Sequence, residues 1–268
     1  MTELRRVAIT TAVIAVVVAS APFVAPYHPD RPVEDPPARN AAPSATYPLG
    51  TDLYGRDVLS RVLYGARVSM VVAAVSVLIS VIVGGAVGLT AGLARGATDA
   101  VLMRLVDVAL SVPRVFLLLV IAALWPGLGL GPLILVLGLT SWFGTSRLVR
   151  AEVLSVGNRD YVAAARALGV PAARLAVRHV LPNVLGPILV SATLGIGQII
   201  LIEAGLSYLG LGVQEPTASL GGMIRDGQLL VQQAPWIAVA PGVVITATVL
   251  TFSALAERLE RALNPGTA

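Results

Sequence analysis

The chain has 268 residues, of which 56% are hydrophobic and 13% charged, with a mean hydropathy of +0.83. Soluble domains carry about 25% charge and about 45–50% apolar residues, so this composition leaves too little polar surface to coat a water-soluble globule and directs the excess apolar surface to a lipid bilayer. The net charge of +4 does not signal nucleic-acid binding, because the basic residues, all Arg, sit in loops between apolar runs, and the absence of Cys excludes disulfides and thiolate metal sites.

Six runs reach the roughly 20 apolar residues that a membrane-crossing helix needs. They are 7–25, 68–93, 101–124, 132–149, 184–204 and 236–256. Helix is the default because backbone exposed to lipid must satisfy its own hydrogen bonds. The expected fold is therefore all-α and polytopic, with six transmembrane helices. It divides into 1–67 (first span, extracytoplasmic linker and interfacial helix), a core of 68–256, and a cytoplasmic tail of 257–268.

The first run follows Arg5 and Arg6 and contains Ala19-Ser20-Ala21, a pattern similar to a secretory signal with a small-residue cleavage site. It stays apolar through Val24, which favours a retained anchor. Residues 26–50 hold seven Pro, from Pro26 to Pro48, and read as an extended external linker. Over 52–67, Leu59, Val62, Leu63 and Ala66 follow helical spacing, with Asp57, Arg61 and Arg67 mostly elsewhere. A short amphipathic helix at the outer interface and a plain connecting helix both fit that pattern.

In the second span, Gly84, Gly88 and Gly92 recur every four residues, which lets another helix approach closely. The glycine-rich 127–131 stretch has no strand before it, so it reads as a tight external turn rather than a dinucleotide loop. Asp107, Arg114 and Glu203 are ionisable residues within predicted spans, near a span end or its first turns. Substrate contact, snorkelling and interface anchoring are all open for them. Were the chain to form a path across the membrane, Glu203 would lie near its external gate, with Asp107 and Ser207 as further candidates for the gate or path. Arg225 and Asp226 read as a solvated external loop, and His28 as an exposed linker residue.

Residues 157–183 read GNRDYVAAARALGVPAARLAVRHVLPN. Asn158 suits an N-cap and Asp160 a first helical turn. Tyr161, Ala164, Ala165 and Leu168 share one apolar face. Gly169 is placed to end the helix in a left-handed cap, and Pro171 fits the first turn of a second helix. There Leu175, Ala176 and His179 share one side, Arg174 and Arg178 another, and Pro182 closes the helix. Two helices this short are marginal alone, since isolated helices need about 12–15 residues. A small-residue surface flanked by Arg suits docking into the groove of a partner.

Arg placement sets the orientation. With the N-terminus cytoplasmic, Arg95 and Arg104 face inside. So does the 150–183 loop, with Arg150, Arg159, Arg166, Arg174 and Arg178 against Glu152 and Asp160, and so do Arg258 and Arg261 near the C-terminus. The opposite side holds a neutral 125–131 turn and a 205–235 segment with Arg225 alone.

These residues carry a resemblance. Ala163-Ala164-Ala165, three residues, Gly169, nine residues, then His179-Val180-Leu181-Pro182 resembles the EAA loop of ABC-importer permeases, which runs Glu-Ala-Ala, three residues, Gly, nine residues, Ile, one residue, Leu-Pro. Ala163 replaces the Glu and His179 the Ile. The first departure points to the peptide-importer subfamily and puts in doubt any salt bridge of that Glu. Tyr47-Pro-Leu-Gly-Thr-Asp52, Gly55-Arg56-Asp57-Val58-Leu59-Ser60-Arg61 and Tyr64-Gly65-Ala66-Arg67 look like the signature of dipeptide, oligopeptide and nickel permeases of the C type. Ile202-Glu203-Ala204, Leu206 to Gly212 and Pro216 are similar to that subfamily's segment after the fifth span. Asp107, Ser111 and Pro113 fit its third span, where Arg114 is unusual.

The resemblance covers essentially the whole chain. It implies a type I importer fold and a subunit that is not itself an enzyme. A second, B-type permease would share the path, an external binding protein would deliver the ligand, and two ATPases would dock on 158–182. ATP and Mg would be bound by those ATPases; this chain has no Gly-Lys-Ser/Thr phosphate loop. The coupling residues it implies are Tyr161, Ala163, Ala164, Ala165, Arg166, Leu168, Gly169, Arg174, Arg178, Leu181 and Pro182. An ion-coupled secondary transporter is the competing reading. It would want an ionisable relay near the bilayer midplane, and the second, fourth and sixth runs have no acid well inside.

Overall fold

The computed structural model describes residues 7–263 apart from 8, 12, 13, 15, 17–19, 34–37, 126 and 128. The described helices are α1 (Val58–Ala94), α2 (Gly96–Leu110), α3 (Arg114–Leu124), α4 (Leu130–Gly157), α5 (Asp160–Ala167), α6 (Ala172–Leu175), α7 (Leu181–Tyr208), α8 (Leu220–Gly227) and α9 (Trp236–Leu263). A wide π turn, Ala176–Val180, joins α6 to α7.

Among the described residues four helices are long and apolar enough to cross a membrane: α1, α4, α7 with its preceding turn, and α9. The pair α2 and α3 makes a fifth when taken as one span bent by 72°. Pro113 explains the break, since it lacks an N–H and disfavours helical backbone in the residue before it. The expected first span lies partly outside the described residues.

Two expected boundaries move. The stretch 52–67 is not a separate interfacial helix. Its helical part belongs to α1, a continuous helix of 37 residues, so the boundary at 67 falls inside it. Asp57 is the N-cap, its carboxylate accepting from Ser60 N at 2.7 Å. At the other end α9 runs on to Leu263, past the expected boundary at 257.

The Pro-rich segment also differs from an extended linker. Asn40 N donates to Asp52 O, Thr51 N to Ala41 O and Val33 N to Gly55 O, each near 3.0 Å. Trp236 Nε1 reaches back to Thr51 O at 3.1 Å. These bonds fold the described part of 26–57 into a cap packed over the start of α1 and α9.

The helices are patterned with large apolar groups outward. In α1, Val71, Val75, Leu78 and Ile82 are exposed while Ser69, Ser76, Ser80, Gly84 and Gly88 are buried. Such a pattern suits a helix bathed in hydrocarbon, where apolar surface gains nothing by turning inward and small residues let helices pack closely. The tightest seam is between α1 and α4. A Cβ added to Gly84 would stand 2.7 Å from Trp142 O, to Gly88 2.5 Å from Ser146 O, and to Gly92 2.6 Å from Val153 Cγ1. Gly138 of α4 meets Ile79 in the same way. Hydroxyls close the seam: Ser76 Oγ donates to Ile134 O at 3.0 Å, and Ser80 and Thr145 hydroxyls are 2.8 Å apart.

This seam makes a direct prediction. Gly88→Val drives a side chain into α4 backbone and should cost at least the roughly 1–3 kcal/mol of an overpacked core, read as a lowered thermal midpoint in detergent. Gly85, with nothing within 4 Å of an added Cβ, is the control. Equal midpoints for Gly88→Val and Gly85→Val would contradict the seam.

Candidate functional site

The 158–182 loop is built with two unlike faces. On the inner side Val162, Leu175 and Val180 are buried with Val184 and Ile188 of α7 and with Val149, Val153 and Val156 of α4, and Ala165 and Val170 pack against them. This apolar cluster fixes the loop to the ends of two long helices. On the outer side Tyr161 is 43% exposed, Leu168 85% and Val177 66%. Ala163, Ala164, Arg166, Arg174 and Arg178 are exposed beside them. The predicted face of Tyr161, Ala164, Ala165 and Leu168 therefore points mostly away from this chain, and Val162 is the residue that anchors α5.

The local chemistry explains the shape. Gly169 has φ +77°, a conformation that costs non-glycine residues about 1–2 kcal/mol. Gly169 N donates to Arg166 O at 3.0 Å and Val170 N to Ala165 O at 3.2 Å, the paired bonds of a Schellman cap. No heavy atom lies within 4 Å of a Cβ added at Gly169, so within this chain the requirement is conformational and not steric.

Three local expectations change. Asn158 does not cap α5. It ends α4, and its side chain accepts from Arg95 Nη2 at 3.1 Å, tying the α1–α2 turn to this loop. Pro182 does not close the second helix: Leu181 and Pro182 form the first turn of α7, which α6 enters through the π turn, with Leu181 N bonded to Ala176 O. His179 is half-buried, and its carbonyl accepts from Asn183 Nδ2 at 2.7 Å. The same end of the bundle is tied again by Arg150 Nη2 on Asp99 Oδ2 at 2.6 Å.

The gate candidates separate. Glu203 is fully buried in α7, where Ser69 Oγ of α1 donates to it at 2.6 Å and Ser207 Oγ at 2.8 Å. Ser207 Oγ in turn accepts from Val213 N at 3.0 Å. Glu203 and Ser207 thus form one knot joining α1, α7 and the following loop. Asp107 is not part of it; it pairs with Arg147 of α4, both about half exposed. Arg114 does not snorkel. It turns inward to Leu137 O at 3.0 Å and Ser141 Oγ at 2.6 Å.

A charge cluster missed by periodicity caps the far end of α1. Asp52 accepts from Arg56 Nε at 2.7 Å and lies 3.5 Å from Arg61 Nε. Glu215 lies 3.3 Å from Arg56 and 3.8 Å from Arg61. Arg61 is 2% exposed, so it is an interior residue and not part of a polar face. Arg225 and Asp226 belong to α8 and pair at 3.4 Å. Burial holds the Asp226 carboxyl above its usual range, with Arg225 pulling it back. The signal available in sequence was the run of opposite charges at Asp52, Arg56, Asp57 and Arg61, spaced for one helical entry.

The Glu203 knot is testable. Glu203→Ala removes the shared acceptor of two buried hydroxyls and opens a void, and should cost about 2–4 kcal/mol. Glu203→Gln, which keeps an acceptor oxygen, should cost less. The check is the thermal midpoint of the purified chain in detergent, and a reversed order would contradict the knot.

Comparison with known proteins agrees with this architecture. A family model described as "Binding-protein-dependent transport system inner membrane component" matches residues 84–268. The dipeptide transport system permease protein of Escherichia coli is 43% identical over 91% of this chain and 82% of its own length. That of Haemophilus influenzae is 36% identical over 94% and 87%. The di/tripeptide transport system permease protein of Pseudomonas aeruginosa is 39% identical over 91% and 82%. Among solved structures, the methionine ABC transporter MetNI in an inward-facing conformation matches with TM-score 0.63 at 19% identity, over 77% of this chain and 96% of that one, a likeness of fold. The matched segment takes in the α1–α4 seam from Gly84 onward, the two-faced loop, and Glu203 with Ser207, and on these grounds the chain belongs to the family of binding-protein-dependent transport system inner membrane components.

Proposed function

We propose that this chain is the pore-forming C-type permease of an ATP-driven peptide importer. It forms the path with a second, B-type permease, takes dipeptides or oligopeptides from an extracytoplasmic binding protein, and docks two ATPase subunits through cytoplasmic loops of the 158–182 kind. ATP and Mg belong to those ATPases. Both termini and the loop face the cytoplasm, as the Arg bias favours. The names of the relatives support the peptide class of cargo.

The observation that carries the reading is the two-faced loop. A segment pinned by a buried cluster on one side presents Tyr161, Leu168 and Val177 outward on the other. Exposed large apolar residues flanked by Arg166, Arg174 and Arg178 suit a socket with an apolar floor and an acidic rim. Because α6 runs through the π turn into α7, closure of the ATPases would move a spanning helix directly, a domain-closure transition.

The test uses the assembled transporter. Ala164→Trp adds bulk on an exposed position, so insertion and thermal midpoint should hold. ATPase co-purification and ATP-dependent uptake of a labelled dipeptide should fall by about tenfold or more, since interface anchors of this kind are worth 1.4 kcal/mol and upward. Leu168→Asp should behave alike. Normal coupling in both variants, or labelling of residues 158–182 only from the outer side, would defeat the reading.

A further inference from the structure

Arg114 is the first residue of α3, just past the break at Pro113. Its guanidinium is held by three neutral oxygens: Leu137 O, Ser141 Oγ and, at 3.3 Å, Thr140 Oγ1. Leu137 O already accepts from the Thr140 and Ser141 hydroxyls. Among the described residues no carboxylate stands within ion-pair distance of Arg114, while Arg147 and Arg150 on the same α4 each have an aspartate. Thr140 and Ser141 fall near the middle of α4, so this charge sits at membrane depth, where an uncompensated guanidinium costs about 2.5–3.5 kcal/mol or more.

The guanidinium borders a cavity of about 150 Å³ between α1, α3, α4 and α7. Ser80, Ser141, Thr145, Ser191 and Gln198 supply its polar lining, and among the described residues no acid lines it. A neutral brace for the α2–α3 break would need no charge. A fixed cation among hydroxyl and amide donors is instead the complement of a carboxylate.

We propose that Arg114 and this cavity form an anion subsite on the translocation path, taking a carboxylate of the passing peptide. The cargo part of this proposal rests on the peptide reading above; the anion subsite does not. The cavity is small, so it holds one end of a peptide and not the whole. The carboxylate is either the C-terminus or an acidic side chain, and the peptide set below separates them.

The chain has no Cys, so Ser191→Cys places a single reporter in the cavity wall of a cysteine-free transporter complex. The readout is the ratio of its modification rates by an anionic and a cationic methanethiosulfonate, 2-sulfonatoethyl and 2-trimethylammonioethyl. Arg114→Gln should lower that ratio about tenfold, within the range by which local charge focuses ions, and Arg114→Lys should keep it. In the otherwise unchanged reporter, Ala-Ala should slow modification by the anionic reagent and Ala-Ala-amide should not; protection by Ala-Asp-amide would admit side-chain carboxylates as well. In uptake with saturating loaded binding protein, Arg114→Gln should lower Ala-Ala transport about fivefold or more and leave Ala-Ala-amide unchanged, a fivefold change being about 1 kcal/mol. A ratio unmoved by Arg114→Gln, or equal protection by Ala-Ala and Ala-Ala-amide, would overturn the subsite. A shifted ratio in a transporter that moves no peptide would retain the anion subsite and refute the peptide reading instead.

Discussion

The close contact of α1 with α4 is the constraint on which the remaining structure depends. In hydrocarbon there is no water to squeeze out between helices, so association relies on dispersion, short hydroxyl bonds and the removal of side-chain bulk. Gly84, Gly88 and Gly92 remove that bulk along two turns of α1, and Gly138 does so from the other side. With the two backbones this close, Ser76 and Ser80 can reach α4 across the seam. The seam also sets where α7 lies, because Glu203 is held from α1 by Ser69.

The loop between α4 and α7 inherits its position from that frame. It has no long-range core of its own, and α6 is only four residues long. What gives it a definite shape is the valine-rich cluster shared with α4 and α7 and the Schellman cap at Gly169. The division of labour along α5 follows helical geometry: Val162 and Ala165 point inward, and Tyr161, Ala164 and Leu168 outward. In the proposed assembly, the outward set meets the ATPases and the inward set carries their motion into the membrane.

Much of this was legible in the sequence because it rests on spacing. The glycine repeat and the left-handed position at Gly169 are local patterns, and the four long helices and the bent pair follow from hydropathy, whereas the face expected of α5 splits, with Ala165 turned inward. The misread parts depend on contacts distant in sequence. Arg61 looks like a surface residue until Asp52 and Glu215 surround it. The Pro-rich 26–50 stretch looks extended until its backbone pairs with residues 51–55, where Trp236 binds Thr51. Helix ends suffered for a different reason. Asn158 and Pro182 have the chemistry of boundaries, but α4 stops one residue before the former and α7 begins just before the latter, since an N-terminal turn accommodates Pro. Among the gate candidates, Glu203 and Ser207 are four apart and share one face of α7, whereas Asp107 is claimed by Arg147, a partner that no local pattern announces.

The unbroken path from α6 through the π turn into α7 has a mechanical corollary. Pro187 lies inside α7 and lacks the N–H that would stiffen that turn, so bending concentrates there. Glu203 lies sixteen residues beyond it (203 − 187), a lever of about 24 Å at 1.5 Å per residue. A tilt of about 10° at Pro187 would thus sweep Glu203 through about 4 Å on that arm. A hydrogen bond does not survive such a stretch, so either α1 travels with α7 as one stiff panel or the Ser69 contact acts as a latch that must release first.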